Sequence, residues 1–206
     1  MLRLGPLAFA AAFVGVAGDA SLSSASAAAV APTVNGNVTV GGHVAGGCTV
    51  LVNGGNSQTF SGTIDLGSLA GSDGKLAPGL TGSTIAGASL TFSVLCVASG
   101  ETVSLSATTM QGSAAGASPN FTKTIDYTAR LDLHLANSTT STFSYATLGA
   151  PPAVGGPLPA PLSGNANNVI VSVNSLVTNG SQLQPGNYGQ AGGGSGGVIS
   201  VLISPI

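Results

Sequence analysis

Few residues in this sequence are able to carry catalysis, and two stretches match catalytic patterns by letter. Gly193-Gly194-Ser195-Gly196-Gly197 spells G-x-S-x-G, the turn that lifts a nucleophilic serine off a strand end in many hydrolases. That chemistry needs a strand-to-helix turn, with an acid and a histidine arriving later in the chain. Ser195 instead sits in a glycine run leading into a strand pattern, and no Asp, Glu or His follows it. Ser72-Asp73-Gly74-Lys75 spells S-x-x-K, which works only on a helix that sets the lysine one turn beyond the serine. Asp73-Gly74 dictates a turn there. Arg130, Asp132 and His134 alternate on one face of a strand pattern, the spacing of a solvated ladder of opposite charges. His43 stands alone among small residues, and the sequence offers no carboxylate pair spaced for glycoside hydrolysis. No catalytic residue, metal ligand set or cofactor is expected.

The elements that would position any site must come from a chain poor in charge. It has four basic and six acidic residues, a formal net charge of −2, no Trp and 32 glycines. Phosphate binding needs a basic footprint, so nucleic acid is excluded as a partner class. Residues 1–27 read as a secretory signal peptide. Arg3 supplies the charged start, LAFAAAFVGVAG is an apolar run short for a membrane span, and Ala25-Ser26-Ala27 ends it. Roughly 180 residues then remain, enough for one domain with a proper core. In an exported chain the two cysteines, Cys48 and Cys96, predict one disulfide.

Strand patterns recur with turn signals between them. Cys48–Val52 ends at Asn53-Gly54-Gly55, and Thr59–Leu69 ends at Gly71-Ser72-Asp73-Gly74. Ser89–Val97 sets Leu90, Phe92, Val94 and Cys96 on one face. Glu101–Ala107 alternates Val103 and Leu105 against Thr102, Ser104 and Ser106, and the Ser99-Gly100 turn predicts that it forms a hairpin with the strand before it. The clearest pattern runs from Ile125 to Leu135, with Ile125, Tyr127, Ala129, Leu131, Leu133 and Leu135 on one side and Asp126 to His134 on the other. One apolar and one wet face imply an antiparallel sheet. Asn167–Leu176 and the closing GVISVLISPI add two more strands, while Leu183–Gln190 reads as a Pro-Gly turn followed by Tyr188. Residues 146–168, rich in Pro, Gly and Ala, read as a long surface loop or flexible insertion. The class is all-β, an immunoglobulin-like antiparallel β-sandwich.

Ahead of the first cysteine, Thr33–Val44 alternates again. Val34, Val38, Val40 and Val44 take the even positions with Gly36 and Gly42, and Asn35, Asn37, Thr39, Gly41 and His43 take the odd ones. No hairpin partner stands beside it in sequence.

The order of these features resembles the spore coat protein U-like domains, which include the pilins of the archaic chaperone–usher pathway of Gram-negative bacteria. The resemblance is carried by the first cysteine strand GGCTVLV, the GTIDLGSL segment, the second cysteine strand LTFSVLC, then YTARLDL, LQPGNY and the final VISVLISPI. It covers essentially all of the chain after the signal peptide. The chain departs from the pattern in the Pro/Gly-rich stretch around Pro151 to Pro161 and in the glycine run after Tyr188.

What the resemblance implies is a sandwich lacking one strand. A periplasmic chaperone would cover the open groove first, an outer-membrane usher would act in assembly, and the N-terminal extension of the next subunit would then fill the groove. On this reading residues 28–47 form the extension, Val34, Val38, Val40 and Val44 are its donor-strand residues, and residues 48–206 form the body. The product would be a homopolymeric fibre or coat on the cell surface, serving adhesion or biofilm formation. The competing expectation is a self-contained, monomeric secreted binding module, for carbohydrate as an example. The absence of Trp and the presence of only Tyr127, Tyr145 and Tyr188 speak weakly against it.

Overall fold

The computed structural model describes residues 47–52, 55–98, 100–113, 119–189 and 196–206. The signal peptide, His43 and the proposed donor strand with Val34, Val38, Val40 and Val44 lie outside them.

The described chain is almost entirely β-structure. In order it forms β1 (Gly47–Val52), β2 (Gly55–Ser57), β3 (Ser89–Phe92), β4 (Val94–Val97), β5 (Glu101–Ala107), β6 (Met110–Gln111), β7 (Phe121–Thr122), β8 (Thr124–His134), β9 (Thr140–Ala146), β10 (Val154–Pro157), β11 (Val169–Val177), β12 (Gln182–Leu183) and β13 (Ile199–Pro205). One short 3₁₀ turn, Pro78–Leu80, interrupts them. The largest sheet runs β3-β11-β8-β6, with β9 also on β8. A second runs β10-β5-β13, a third β2-β1-β4. All of these pairings are antiparallel, and only the short β7–β12 pair is parallel.

The period-2 pattern of β8 does what it predicts. Ile125, Ala129, Leu131 and Leu133 lose all solvent contact, while Arg130 and His134 stay exposed on the other face. Burying each such leucine contributes about 2–3 kcal/mol. Val169, Val171 and Val173 of β11 face the same interior, and Val103 and Leu105 approach it from β5. On β11 the alternation would next place Ser175 inward. A bulge between Asn174 and Val177, with Ser175 at φ 47°, puts Leu176 into the core in its place.

Four expectations need correction or refinement. Thr59–Leu69 is not a strand: Phe60, Ile64, Leu66 and Leu69 turn toward the core, but no ladder forms. An Asx turn at Asp65, whose Oδ1 accepts the Gly67 N–H at 2.9 Å, bends the backbone there, with Gly67 at φ +66°. The Ser99-Gly100 turn does not make β5 a hairpin partner of β4. A strand has two edges, and those of β5 are taken by β10 and β13, whereas β4 pairs with β1. Ser89–Val97 is two strands, because the chain leaves β11 at Ser93 and passes to β1. Residues 146–168 are more than a surface loop. Val154–Pro157 adds β10 to β5, and Leu162, buried, bridges to Leu135. Gly155 makes this close approach possible, since a Cβ there would run into the Val103 carbonyl.

The Cys48–Cys96 disulfide is present and joins directly opposed residues of β1 and β4. It closes a sequence interval of 48 residues. In the chain-entropy account, reduction is expected to lower stability by about 4 kcal/mol. Urea unfolding with and without a thiol reductant measures this, and equal midpoints would contradict it.

Candidate functional site

The described residues that first suggested chemistry are held by local contacts. Arg130 Nε donates to Asp132 Oδ2 at 2.9 Å and its Nη2 to Oδ1 at 3.0 Å, while Thr142 Oγ1 also donates to Asp132. His134 Nδ1 lies 3.2 Å from Thr140 Oγ1, not on Asp132. The three form a ladder on the wet face of β8, and Asp132 raises the pKa of the Arg130 guanidinium by hydrogen bond and charge. At Ser72–Lys75, Asp73 Oδ1 accepts the Lys75 N–H at 3.0 Å and Gly74 has φ +75°, so the segment is a turn. Of the G-x-S-x-G stretch, Ser195 lies outside the described residues. Among those described, no group of His, Cys, Asp or Glu gathers with metal-binding geometry.

A different kind of site emerges at β13. Its pairing with β5 runs from Ile199 opposite Ala107 to Pro205 opposite Glu101. Beyond the ends, Thr108 N donates to Val198 O, and Ile206 N donates to Gly100 O, both at 2.9 Å. In an antiparallel ladder the N–H and C=O of one residue point the same way and alternate along the strand. Even-numbered residues of β13 therefore bond to β5, and the N–H groups of Ile199, Val201 and Ile203 point away from it. No described strand pairs with that side, since β13 ends the sheet order, although β1 passes close to β13. The same three side chains face inward, half-buried against the core. Leu202 alternates outward at 63% exposure. Among the described residues this edge of β13 is unpaired and lies beside a row of partly covered apolar side chains, the form of a surface that accepts another strand. Pro205, with no N–H, ends the row of donors.

Elsewhere the surface opens into a cavity of about 1080 Å³, bounded among others by Ile64, Leu66, Leu69, Met110, Leu183 and Tyr188. The irregular 60–66 segment contributes Ile64, Asp65 and Leu66 to one wall. Its backbone makes no hydrogen bond to another described residue, and Phe60 stacks on Phe92 with ring centroids 4.5 Å apart. Tyr188 is fixed by its hydroxyl, which donates toward Gln184 O at 3.1 Å and Thr122 O at 3.2 Å. Burial pushes its pKa up. Tyr127 packs against Gly197, where a Cβ would come 2.6 Å from its hydroxyl. Burial pushes the Tyr127 pKa up to about 12.

Sequence reasoning named the strand that would be donated and missed the edge able to receive one. The alternation of Ile199, Val201 and Ile203 was legible, but which side of β13 remains open depends on where β5 docks. It also passed over Glu101, whose parity with Val103 and Leu105 places it on the inward face of β5, fully buried. The chain matches no protein-family model, no curated protein and no solved structure.

Proposed function

We propose that this chain is an exported structural subunit that polymerises by donor-strand complementation into a surface fibre or coat, in support of adhesion or biofilm formation. The observation that carries the reading is the open edge of β13, where the outward N–H groups of Ile199, Val201 and Ile203 stand over their own half-buried side chains. A strand with apolar side chains at alternate positions suits such an edge, because its backbone completes the ladder while those side chains fill the apolar row. Thr33–Val44 of a neighbouring copy has that alternation, with Val34, Val38, Val40 and Val44 as the filling residues. The body would then be an incomplete immunoglobulin-like sandwich, guarded in the periplasm by a chaperone and passed to an outer-membrane usher of a Gram-negative cell. An exposed apolar edge needs such cover before assembly, since it is an aggregation hazard.

The 1080 Å³ cavity beside Tyr188 favours a second reading, a monomeric binding module. An unboiled denaturing gel of the mature protein, run beside a version lacking residues 28–44, separates the two. The expected result is a ladder of stable oligomers from the full chain and none from the truncation. A monomer band alone from both would overturn the polymer reading.

A further inference from the structure

The sole glutamate of the chain occupies a position that calls for an apolar residue. Glu101 opens β5 on the same face as Val103 and Leu105, and it has no solvent exposure. Neither carboxyl oxygen has a hydrogen-bond partner. Its backbone is a junction. The Glu101 carbonyl accepts the Leu158 N–H at 2.8 Å just beyond β10, its Cα opposes Pro205 of β13, and Gly100 before it accepts the Ile206 N–H. Three stretches of chain are therefore pinned around one buried acid.

Among the described residues nothing around it supplies a countercharge, and His43 lies outside them. β10, β13 and the 158–163 segment contain no ionisable side chain. β1 and β4 bring only the disulfide. Across the core, β8 and β9 turn Tyr127 and Tyr145 inward, while Asp126, Arg130, Asp132 and His134 occupy the other face of β8. A carboxylate in such surroundings is disfavoured, which shifts the balance toward the protonated form.

We propose that Glu101 is a pH-responsive latch: protonated, it packs as an apolar residue where β5, β10 and β13 meet, and on losing its proton it leaves the core and opens that end of the sheet. This goes beyond the assembly reading and holds for a monomer or a polymer. Burial raises the carboxyl pKa, and the Leu162 backbone N–H offsets part of that rise. The closed state thus binds a proton that the open state releases. Closure is fully favoured below the ordinary glutamate range, weakens as pH rises from there, and has lost this contribution once pH passes the raised folded value.

Hydrogen exchange of the full mature protein between pH 5 and pH 8, followed by mass spectrometry, tests the latch. Amides that open with Glu101, in peptides covering 101–107 and 199–206, are expected to exchange about a hundredfold faster per pH unit within the latch window. Hydroxide catalysis alone gives about tenfold. Peptides within 129–133 should show tenfold throughout, and Glu101→Gln should bring 101–107 and 199–206 to tenfold as well. Identical slopes in parent and variant would overturn the proposal. Should the variant fail to fold, carbon-13-labelled glutamate in the parent chain gives a single side-chain carboxyl resonance. Titration of that resonance in the ordinary glutamate range would equally overturn the proposal, and titration above it would support the latch.

Discussion

Mature protein carrying Val38→Asp and Val40→Asp is expected to run as a monomer on an unboiled denaturing gel, with its body folded as in the parent. Each aspartate would have to enter an apolar row formed by Ile199, Val201 and Ile203 of another copy. An unpaired carboxylate placed there costs several kcal/mol. Two of them exceed what the backbone bonds of one added strand return, so the ladder should vanish rather than thin. The receiving side can be disabled separately. Val201→Pro removes an N–H that points away from β5, and proline is tolerated on an edge strand when its missing donor faces outward. Each variant alone should stay monomeric, since one lacks a donor and the other an acceptor. Mixed during refolding, they should give dimers and nothing longer. Ladders from the double aspartate variant, or none from the parent, would remove donor-strand exchange as the function of these residues.

The second large effect concerns the fold itself. Asn168, only 1% exposed, sits just ahead of β11, where the chain that makes β3 and β4 changes sheets. Its Oδ1 accepts the Val94 N–H at 2.8 Å, and its Nδ2 donates to Val94 O and Ser163 O, both at 2.6 Å. The side chain thus stands in for a neighbouring strand at the step where β3 has left β11 and β4 joins β1. Asn168→Ala would leave those three backbone groups buried without partners. The expected loss is roughly 3–5 kcal/mol, summing unsatisfied buried groups. Urea unfolding of the monomeric body measures it, and a change below about 1 kcal/mol would mean that water or neighbouring chain replaces the amide.

How much of this was readable from sequence depends on how local the cause was. The period-2 run of β8 declared both strand and buried face, because one wet side forces strict alternation, while β11 and β13 were legible as strands. The disulfide followed from two cysteines in a chain read as exported. The failures share a different origin. A turn signal at Ser99-Gly100 is local, whereas the choice of β10 and β13 over β4 as partners of β5 is settled by long-range competition for two edges. Ile64 and Leu66 alternate like a strand, yet the segment joins no described ladder, and apolar period alone does not create one. Val154–Pro157 was hidden by the reverse effect. Glycine and proline weaken the strand pattern, while the missing side chain of Gly155 is what lets β10 lie against β5. For the candidate site, the alternating valines of Thr33–Val44 were visible. The side of β13 that no described strand pairs was not, since an absent neighbour leaves no mark on the residues that lack it.

The Cys48–Cys96 bond has a mechanical consequence for a chain pulled by its N-terminal extension. Tension entering at Gly47 reaches Cys48 at once, and the disulfide hands it directly to Cys96. The whole interval between the two cysteines, including the irregular 60–66 wall and the strand that changes sheets at Ser93, drops out of the load path. A chain stretched in this way bears force first across β4 and then along the residues that follow, so the 60–66 segment, with no backbone hydrogen bond to another described residue, is never pulled.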